Sequence, residues 1–266
     1  MSPLFLSLGA GVQSSTLALM AMHGEITPMP DHAIFADTGD EPQAVYSWIE
    51  FLRTKLSFPI HIVRHPSNNP LSVESLKIRT SSESGRVHLR HTPPVYTLSP
   101  TMERGMTIRH CTRDFKIDII NAKIRELAGR NKPANILIGI SFDEAHRMKP
   151  NKVRRFKNSW PLVDRVINRW DCLSWMKEHG YPQPPRSACI YCPFHSPHEW
   201  TRIKNKTPDE FKKAEEYEIK LQEAWRSVGM KSKPFLHRSC IPLGEVRFDN
   251  NQLDLFGNEC EGLCGV

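Results

Sequence analysis

The chain has 266 residues, of which 24% are charged and 39% are hydrophobic, with 36 Lys and Arg against 29 Asp and Glu. This composition excludes a disordered or fibrous protein, and the length suits one large domain or one domain with a smaller appendage. The net charge of +7 permits an anionic partner such as a nucleotide or a nucleic acid without requiring one.

Export and membrane insertion are not expected from the sequence. Its apolar runs, such as residues 136–140, are too short to cross a bilayer, and the start lacks a charged region before an apolar one. We therefore expect a soluble, cytoplasmic protein with no membrane partner. In that compartment thiols stay reduced, so the seven cysteines favour metal ligation or sulfur chemistry over disulfide bonds.

The first forty residues predict a strand, a turn, a helix and a second strand. Apolar residues 4–6 lead into a turn rich in small residues, and the helix after it stops at Gly24. Glycines let the backbone approach an anion, and the N–H groups at a helix start point donors at it. The turn is therefore predicted to hold a phosphate through Ser7, Gly9, Gly11, Gln13, Ser14 and Ser15. It matches neither Gly-x-Gly-x-x-Gly nor the Walker pattern, which disfavours a simple dehydrogenase or a P-loop kinase.

Further strands alternate with helices along the chain. Residues 33–36 end at Asp37-Thr38-Gly39-Asp40-Glu41, and residues 59–63 supply a third strand. Residues 65–108 lack periodicity and predict a long inserted loop or subdomain. A helix at residues 117–127 precedes the apolar run 135–140, which is typical of a buried strand.

This alternation predicts an α/β fold with a parallel sheet. Ligands of such sheets bind at the carboxyl ends of the strands. We therefore expect the Ser7 turn, residues 37–41 and residues 141–147 to meet in one crevice. The nucleotide-binding domain is predicted to span residues 1–148, and a cysteine-bearing helical region residues 149–266.

That second region begins with a dense basic run, Lys149, Lys152, Arg154, Arg155 and Lys157. Such a run is most often a solvated surface, and the other interpretation is a polyanion site. Residues 171–179 predict a helix that stops at Gly180. Thr207-Pro208-Asp209-Glu210 predicts an N-cap, with proline at the first position of a long helix.

Cys189-Ile190-Tyr191-Cys192 has the two-residue spacing that lets two thiolates reach one metal ion or cluster. Cys111 and Cys172 are the candidates for further ligands, and the alternative is that they are buried small hydrophobes. Spacing alone does not separate zinc from an iron–sulfur cluster. Arg109 and Lys116 flank Cys111 and could contact phosphate or sulfate.

The tail contains a second cysteine pair, Cys260 and Cys264, among acidic residues and glycines. It is either a disordered end or a mobile nucleophile or redox pair.

Five segments, in order, resemble a known family. The turn at residues 7–15 resembles the PP-loop of adenine nucleotide α-hydrolases, and residues 34–41 resemble the second-strand motif of the phosphoadenosine phosphosulfate (PAPS) reductase family. The further matches are residues 110–116, 139–144 and 187–194. The resemblance implies a five-stranded parallel sheet with helices on both faces that binds ATP or PAPS, with Gly139 and Ser141 beside Asp37, Thr38 and Gly39. The resemblance also implies a 4Fe-4S cluster in preference to zinc. The C-terminal tail resembles the tail of sulfonucleotide reductases, in which a cysteine attacks the sulfonate.

One residue departs from the family pattern. PP-loops of this family commonly end Gly-x-Asp-Ser, whereas this chain has Gly11-Val12-Gln13-Ser14. Because an amide does not neutralise a cation, Mg²⁺ would need another anchor, for which Asp37 and Asp143 are the candidates.

Three hypotheses follow. In the first, an ATP pyrophosphatase activates a nucleic-acid substrate for sulfur transfer from a sulfur donor, with Asp143, Lys116, Arg109, Cys260 and Cys264 as catalytic candidates. In the second, a tail thiolate takes the sulfonate of PAPS, and a thioredoxin-like partner releases sulfite. In the third, the protein is a non-catalytic nucleic-acid-binding protein stapled by zinc. The oligomeric state stays open.

Overall fold

The computed structural model describes residues 2–82, 85, 87–90 and 93–248. Its strands, in chain order, are β1 (Leu4–Ser7), β2 (His32–Asp37), β3 (Ile60–Arg64), β4 (Ile78–Thr80), β5 (Val87–Leu89), β6 (Tyr96–Leu98), β7 (Arg104–Met106), β8 (Ala134–Ile138), β9 (Phe156–Ser159) and β10 (Lys233–Phe235). Its α-helices are α1 (Val12–Met22), α2 (Gln43–Lys55), α3 (Leu71–Glu74), α4 (Asp118–Ala128), α5 (Pro161–Asp164), α6 (Arg169–Glu178), α7 (Pro197–Lys206) and α8 (Pro208–Ser227). A π-helical turn spans Arg113–Ile117, and 3-10 turns span Phe142–Arg147 and Leu243–Glu245.

The described residues form two compact units. Unit 1 contains residues 2–65 and 112–188, and unit 2 contains residues 66–111 and 189–248. The predicted domain boundary at residue 148 therefore falls inside unit 1, because residues 149–188 contribute β9, α5 and α6 to it. The segment predicted as an insertion forms part of unit 2.

Unit 1 is built on a five-stranded sheet of order β3-β2-β1-β8-β9 in which every neighbouring pair is parallel. This confirms the predicted fold class. The fifth strand, β9, lies in the basic run, where little in the residue pattern indicates a strand. Phe156 is its one buried side chain, as expected for an edge strand with few apolar residues.

Alternation along the strands divides the core between the two faces of this sheet. Leu4 and Leu6 of β1 join the cluster that contains residues of α1, α2 and α6. Phe5 joins a second cluster with Ile120 and Ile124 of α4. Successive strand residues point to opposite faces, so helices cover both faces of the sheet, as predicted.

The helix ends follow local signals. Gly24 and Gly180 have φ of +76° and +71°, which confirms them as helix stops. Helix α6 begins two residues before its predicted start, because Asn168 caps it. The Asn168 side chain accepts from the N–H groups of Trp170 and Asp171, and Asp171 accepts from the Asn168 N–H.

Unit 2 combines an antiparallel sheet of order β10-β6-β7, the β4–β5 hairpin and helices α3, α7 and α8. Helix α8 begins with Pro208, as predicted, but the predicted side-chain cap is wrong. The Thr207 hydroxyl donates instead to the Ile203 carbonyl at 3.2 Å, because Thr207 also ends α7. Among the helices described, none is long and apolar enough to span a bilayer.

Candidate nucleotide-binding site

The turn between β1 and α1 is shaped by hydrogen bonds within unit 1. The Gly9 N–H donates to the Ser14 hydroxyl at 3.1 Å, and the Ser187 hydroxyl donates to the Gly9 carbonyl. Ala10 adopts a φ of +62°, and Gly11 is the N-cap of α1. The first N–H groups of a helix have no acceptor within that helix, so the turn offers main-chain donors to an anion.

The serines of this turn are buried. Ser15 is fully buried, and its hydroxyl accepts a hydrogen bond from Trp48 Nε1 at 2.8 Å. Its N–H bonds to the Gly11 carbonyl at 3.1 Å. Ser15 therefore anchors the turn on α2, while Ser14 holds Gly9. Ser7, at the end of β1, is also buried.

Strand β8 presses directly against the start of α1. A Cβ at Gly139 would lie 2.6 Å from the Cα and from the N of Ser14. No side chain fits that gap without moving the first turn of the helix. The glycine at position 139 is thus explained by the close packing of the end of β8 against the turn between β1 and α1.

Gln13 joins the turn to the segment after β8. It is fully buried; its Nε2 donates to Glu144 Oε2 at 3.1 Å and to the Ser141 hydroxyl at 3.4 Å. Its Oε1 accepts from Arg169 Nη1 at 3.1 Å. Glu144 also pairs with Arg147. Gln13 therefore bridges a carboxylate and a guanidinium, as only a side chain with both a donor and an acceptor can do.

Arg169 is the site residue that the sequence analysis missed. Besides bonding to Gln13, it donates its backbone N–H to Asp143 Oδ1 at 3.1 Å. It stands at the start of α6, far along the chain from the turn between β1 and α1, in a segment without a recognisable motif. Only the packing of α6 beside α1 brings it to this place.

Asp37, a candidate Mg²⁺ anchor, is already engaged. Its carboxylate accepts from the Gly39 N–H at 2.7 Å, from the Tyr46 hydroxyl at 2.9 Å and from Arg64 Nε and Nη2, each at 2.7 Å. Burial and the nearby charge of Asp37 raise the pKa of Tyr46, so that Tyr46 remains a donor. These contacts favour a structural role for Asp37, which stabilises the carboxyl end of β2.

A buried ion pair lies in the same unit. Lys116 Nζ is 3.6 Å from Glu41 Oε1, and their side chains are 7% and 0% exposed. Glu41 also accepts a hydrogen bond from the Thr38 hydroxyl at 3.1 Å. Lys116 lies in the π-helical turn, next to Phe115, whose ring stacks on His65. Single π-helical turns are frequent at functional sites.

The cysteines divide between the units. Cys172 is fully buried in the apolar core of unit 1 with α1 and α2. Cys111, Cys189 and Cys192 belong to unit 2. The Cys192 N–H donates to the Cys189 carbonyl at 2.9 Å and closes the turn between them. Arg109 stacks on Phe194 at 5.3 Å, so the chain before Cys111 lies beside this turn.

Unit 2 holds a fourth cysteine, Cys240, which the sequence analysis did not select. It is 7% exposed, and its Sγ lies 3.8 Å from the Thr97 carbonyl. Burial raises the pKa of Tyr96, and the positive charge of Arg238 acts against this rise. Within the described residues, no three His, Cys, Asp or Glu side chains are arranged to hold a metal ion, so we derive no chemical step through one.

Cys260 and Cys264 lie outside the described residues. Their catalytic role stays a prediction.

Comparison with known proteins finds similar solved structures. No protein-family model matches the chain, and neither does any curated protein sequence. A phosphoadenylyl-sulfate (PAPS) reductase from Candida auris, solved as a phosphate complex, is 11% identical over 69% of this chain and 76% of that chain, with a TM-score of 0.44. A likeness at this level does not define a site, so the site rests on the contacts of this chain.

Together these contacts define a candidate anion site with specific features. The main-chain donors of the turn, the β8 end pressed on α1 and the Gln13–Arg169–Glu144 network all occur in unit 1, after neighbouring strands β1 and β8. Asp143 is exposed beside them, and its carboxylate accepts the backbone N–H of Arg169.

Proposed function

We propose that this protein is a PP-loop enzyme that cleaves ATP to AMP and pyrophosphate and thereby activates a nucleic-acid substrate for sulfur transfer. The observation that carries the proposal is the turn at residues 8–11. The hydroxyls of Ser14 and Ser187 form hydrogen bonds to its backbone, and Gly139 packs closely against the helix start that follows it. Such a turn recognises the charge and shape of a polyphosphate.

The proposed reaction is an adenylation. A substrate oxygen attacks the α-phosphorus, the bond from that phosphorus to the bridging oxygen breaks, and pyrophosphate leaves. Main-chain donors of the turn stabilise the charge that develops on the leaving group. A sulfur donor such as inorganic sulfide then displaces AMP from the substrate.

Two charged groups are assigned supporting roles. Lys116, held by Glu41, contributes positive charge near the strand ends, and removing one partner of a buried pair typically costs about 3–5 kcal/mol of stability. Asp143 is the candidate anchor for Mg²⁺, because Asp37 is occupied by Arg64 and Tyr46.

A second candidate, reduction of PAPS, is favoured by the same occupation of Asp37 and by Gln13. Cleavage at sulfur places less demand on a metal-bound triphosphate. In this reaction a tail thiolate attacks the sulfonate, the nucleotide leaves, and a thioredoxin-like dithiol releases sulfite from the enzyme.

The test incubates anaerobically purified protein with ATP or with PAPS, with and without nucleic acid, and identifies the products. Pyrophosphate and AMP that depend on nucleic acid support the first function. Sulfite formed from PAPS without ATP supports the second. Neither product, together with nucleic-acid binding, supports the non-catalytic hypothesis.

The tail cysteines are tested separately. Replacement of Cys260 and Cys264 by Ser is expected to abolish turnover and to leave nucleotide affinity unchanged. Unchanged turnover would remove the tail from the mechanism.

The iron–sulfur cluster also stays a proposal. When bound, it would supply a site for sulfide or for electrons. Cys111, Cys189, Cys192 and Cys240 are the candidate ligands because they share unit 2, but no three of the described His, Cys, Asp or Glu side chains are arranged to hold a metal ion, so cluster binding would have to bring these thiols together. Cys172 lies in the core of unit 1.

A further inference from the structure

Six exposed cations lie along one edge of the unit 1 sheet. They are Arg130, Lys132, Lys149, Lys152, Arg154 and Lys157, which we call the basic strip. Between residues 127 and 163 the only acidic residues are Asp143 and Glu144. None of the six forms an ion pair with an acidic side chain in the described part of the chain.

The backbone explains why these residues share one edge. Strand β9 is the edge strand, and residues 149–155 run back alongside it from its carboxyl end to its start. Asn158 Nδ2 donates to the Lys149 carbonyl at 3.0 Å, and the Ala134 N–H donates to the Arg155 carbonyl at 3.2 Å. The loop carrying Arg130 and Lys132 enters β8 beside that second contact.

Side-chain contacts support the shape of this edge. Asn151 Nδ2 donates to Asn121 Oδ1 at 3.2 Å and so ties the returning segment to α4. The guanidinium groups of Arg155 and Arg125 lie 5.7 Å and 5.9 Å from the centre of the Phe156 ring. The strip is therefore attached to the sheet and to α4 at several points.

The strip is continuous with the candidate nucleotide site. Its Lys149 end is two residues from Arg147, which pairs with Glu144, and Glu144 accepts the amide of Gln13 in the turn. A polyanion lying on the strip would thus extend towards the phosphate-binding turn.

A solvated surface helix in this protein has a different charge pattern. On α8, Lys212, Lys213 and Lys220 lie three or four residues from Glu216 or Glu223, so cations and anions alternate. Like charges gathered without counter-charges repel one another, and this repulsion is relieved when an anionic partner binds.

We propose that the basic strip binds the phosphate backbone of the nucleic acid that the enzyme modifies. The inference rests on the proposed function, in which the acceptor is a nucleic acid. Strand β9 is about 13 Å long, which corresponds to roughly four base-pair steps at about 3.4 Å each. Side chains of this kind position a nucleic acid and carry no sequence preference.

The experiment compares two triple variants that remove the same charge. The strip variant is Lys149→Gln, Lys152→Gln, Arg154→Gln, and the control variant is Lys212→Gln, Lys213→Gln, Lys220→Gln. Fluorescence anisotropy measures their affinity for a labelled DNA duplex and a labelled tRNA across a salt series. Isothermal titration calorimetry measures ATP affinity, and thermal melting checks the fold.

We expect the strip variant to bind nucleic acid at least about tenfold more weakly, with a salt slope lower by roughly one for each phosphate that the protein no longer neutralises. The control variant should bind like the wild type, and both variants should keep the wild-type ATP affinity and melting temperature.

An equal loss of nucleic-acid affinity in both variants would overturn the proposal, because the net positive charge of the whole protein would then explain binding. A wild type that binds neither probe, or that binds only anionic lipid vesicles, would also overturn it. Strip-dependent binding without pyrophosphate release from ATP would leave the strip in place and remove the proposed reaction. Pyrophosphate release that nucleic acid stimulates equally in the wild type and in the strip variant would support the proposed reaction and rule out the strip as the nucleic-acid site.

Discussion

At the scale of single residues, Gly139 lies in close contact with the turn between β1 and α1. An added methyl group would lie 2.6 Å from the backbone of Ser14. We expect Gly139→Ala to displace the first turn of α1, to destabilise the protein by about 1–3 kcal/mol and to weaken ATP binding at least about tenfold. Calorimetric titration and urea unfolding measure the two effects.

The control is Ile138→Val at the end of β8, directly before Gly139. It removes one buried methylene at a cost of about 0.5–1.5 kcal/mol and should leave ATP affinity unchanged. If Gly139→Ala binds ATP like the wild type, the turn is not the phosphate site.

Gln13 is the second residue whose chemistry decides the site. In Gln13→Glu, a carboxylate oxygen replaces the amide nitrogen that lies 3.1 Å from Glu144 Oε2. The new repulsion between the two carboxylates outweighs the gain at Arg169 and disturbs the start of α1. We expect a fall in ATP affinity of at least about tenfold.

Adding Glu144→Gln to this variant tests the cause. The double variant restores an amide opposite the carboxylate, so calorimetry should recover part of the missing affinity. An affinity that does not recover would show that the Gln13–Glu144 contact is not what matters.

At the scale of elements, the clearest prediction concerns α3 in unit 2. Burial by itself raises the pKa of Glu74, but hydrogen bonds from Lys77, Asn69 and Ser67 lower it to about 2. The unfolded chain therefore binds the proton more tightly, and the stabilisation is present above about pH 4.5 and lost as the pH falls towards 2.

We expect Glu74→Gln to lower the free energy of unfolding by about 1–2 kcal/mol at neutral pH, since Lys77 and Arg79 are partly exposed. The difference from the wild type should shrink as the pH approaches 2. Urea unfolding at a series of pH values measures it. Glu50→Gln, which breaks an exposed pair with Arg53, should show no such trend.

At the scale of the whole molecule, the cysteines test how the sequence motifs combine. We expect anaerobically purified protein to contain iron and acid-labile sulfide, and Cys189→Ser and Cys240→Ser each to lose most of both. Cys172→Ala should retain them, because Cys172 packs in the core of unit 1. Zinc without sulfide would exclude the cluster, and equal loss in Cys172→Ala would contradict the ligand set proposed from unit 2.

Local patterns were enough to predict much of the fold. Apolar runs ending in polar turns predicted the strands containing Leu6, Ile34 and Ile136, since a parallel strand covered on both faces must be apolar throughout. Glycines with positive φ marked the ends of α1 and α6. The same reasoning missed β9, because an edge strand with one buried residue has no apolar run.

Sequence alone thus determined four of the five strands of the sheet and the turn between β1 and α1, all of which depend on neighbours in the chain. The tertiary structure decided which side chains complete the site. Arg169 meets Gln13 across 156 residues, and Arg64 occupies Asp37 across 27. Such partners leave no periodic signal, because their contact depends on how helices and strands pack and not on local spacing.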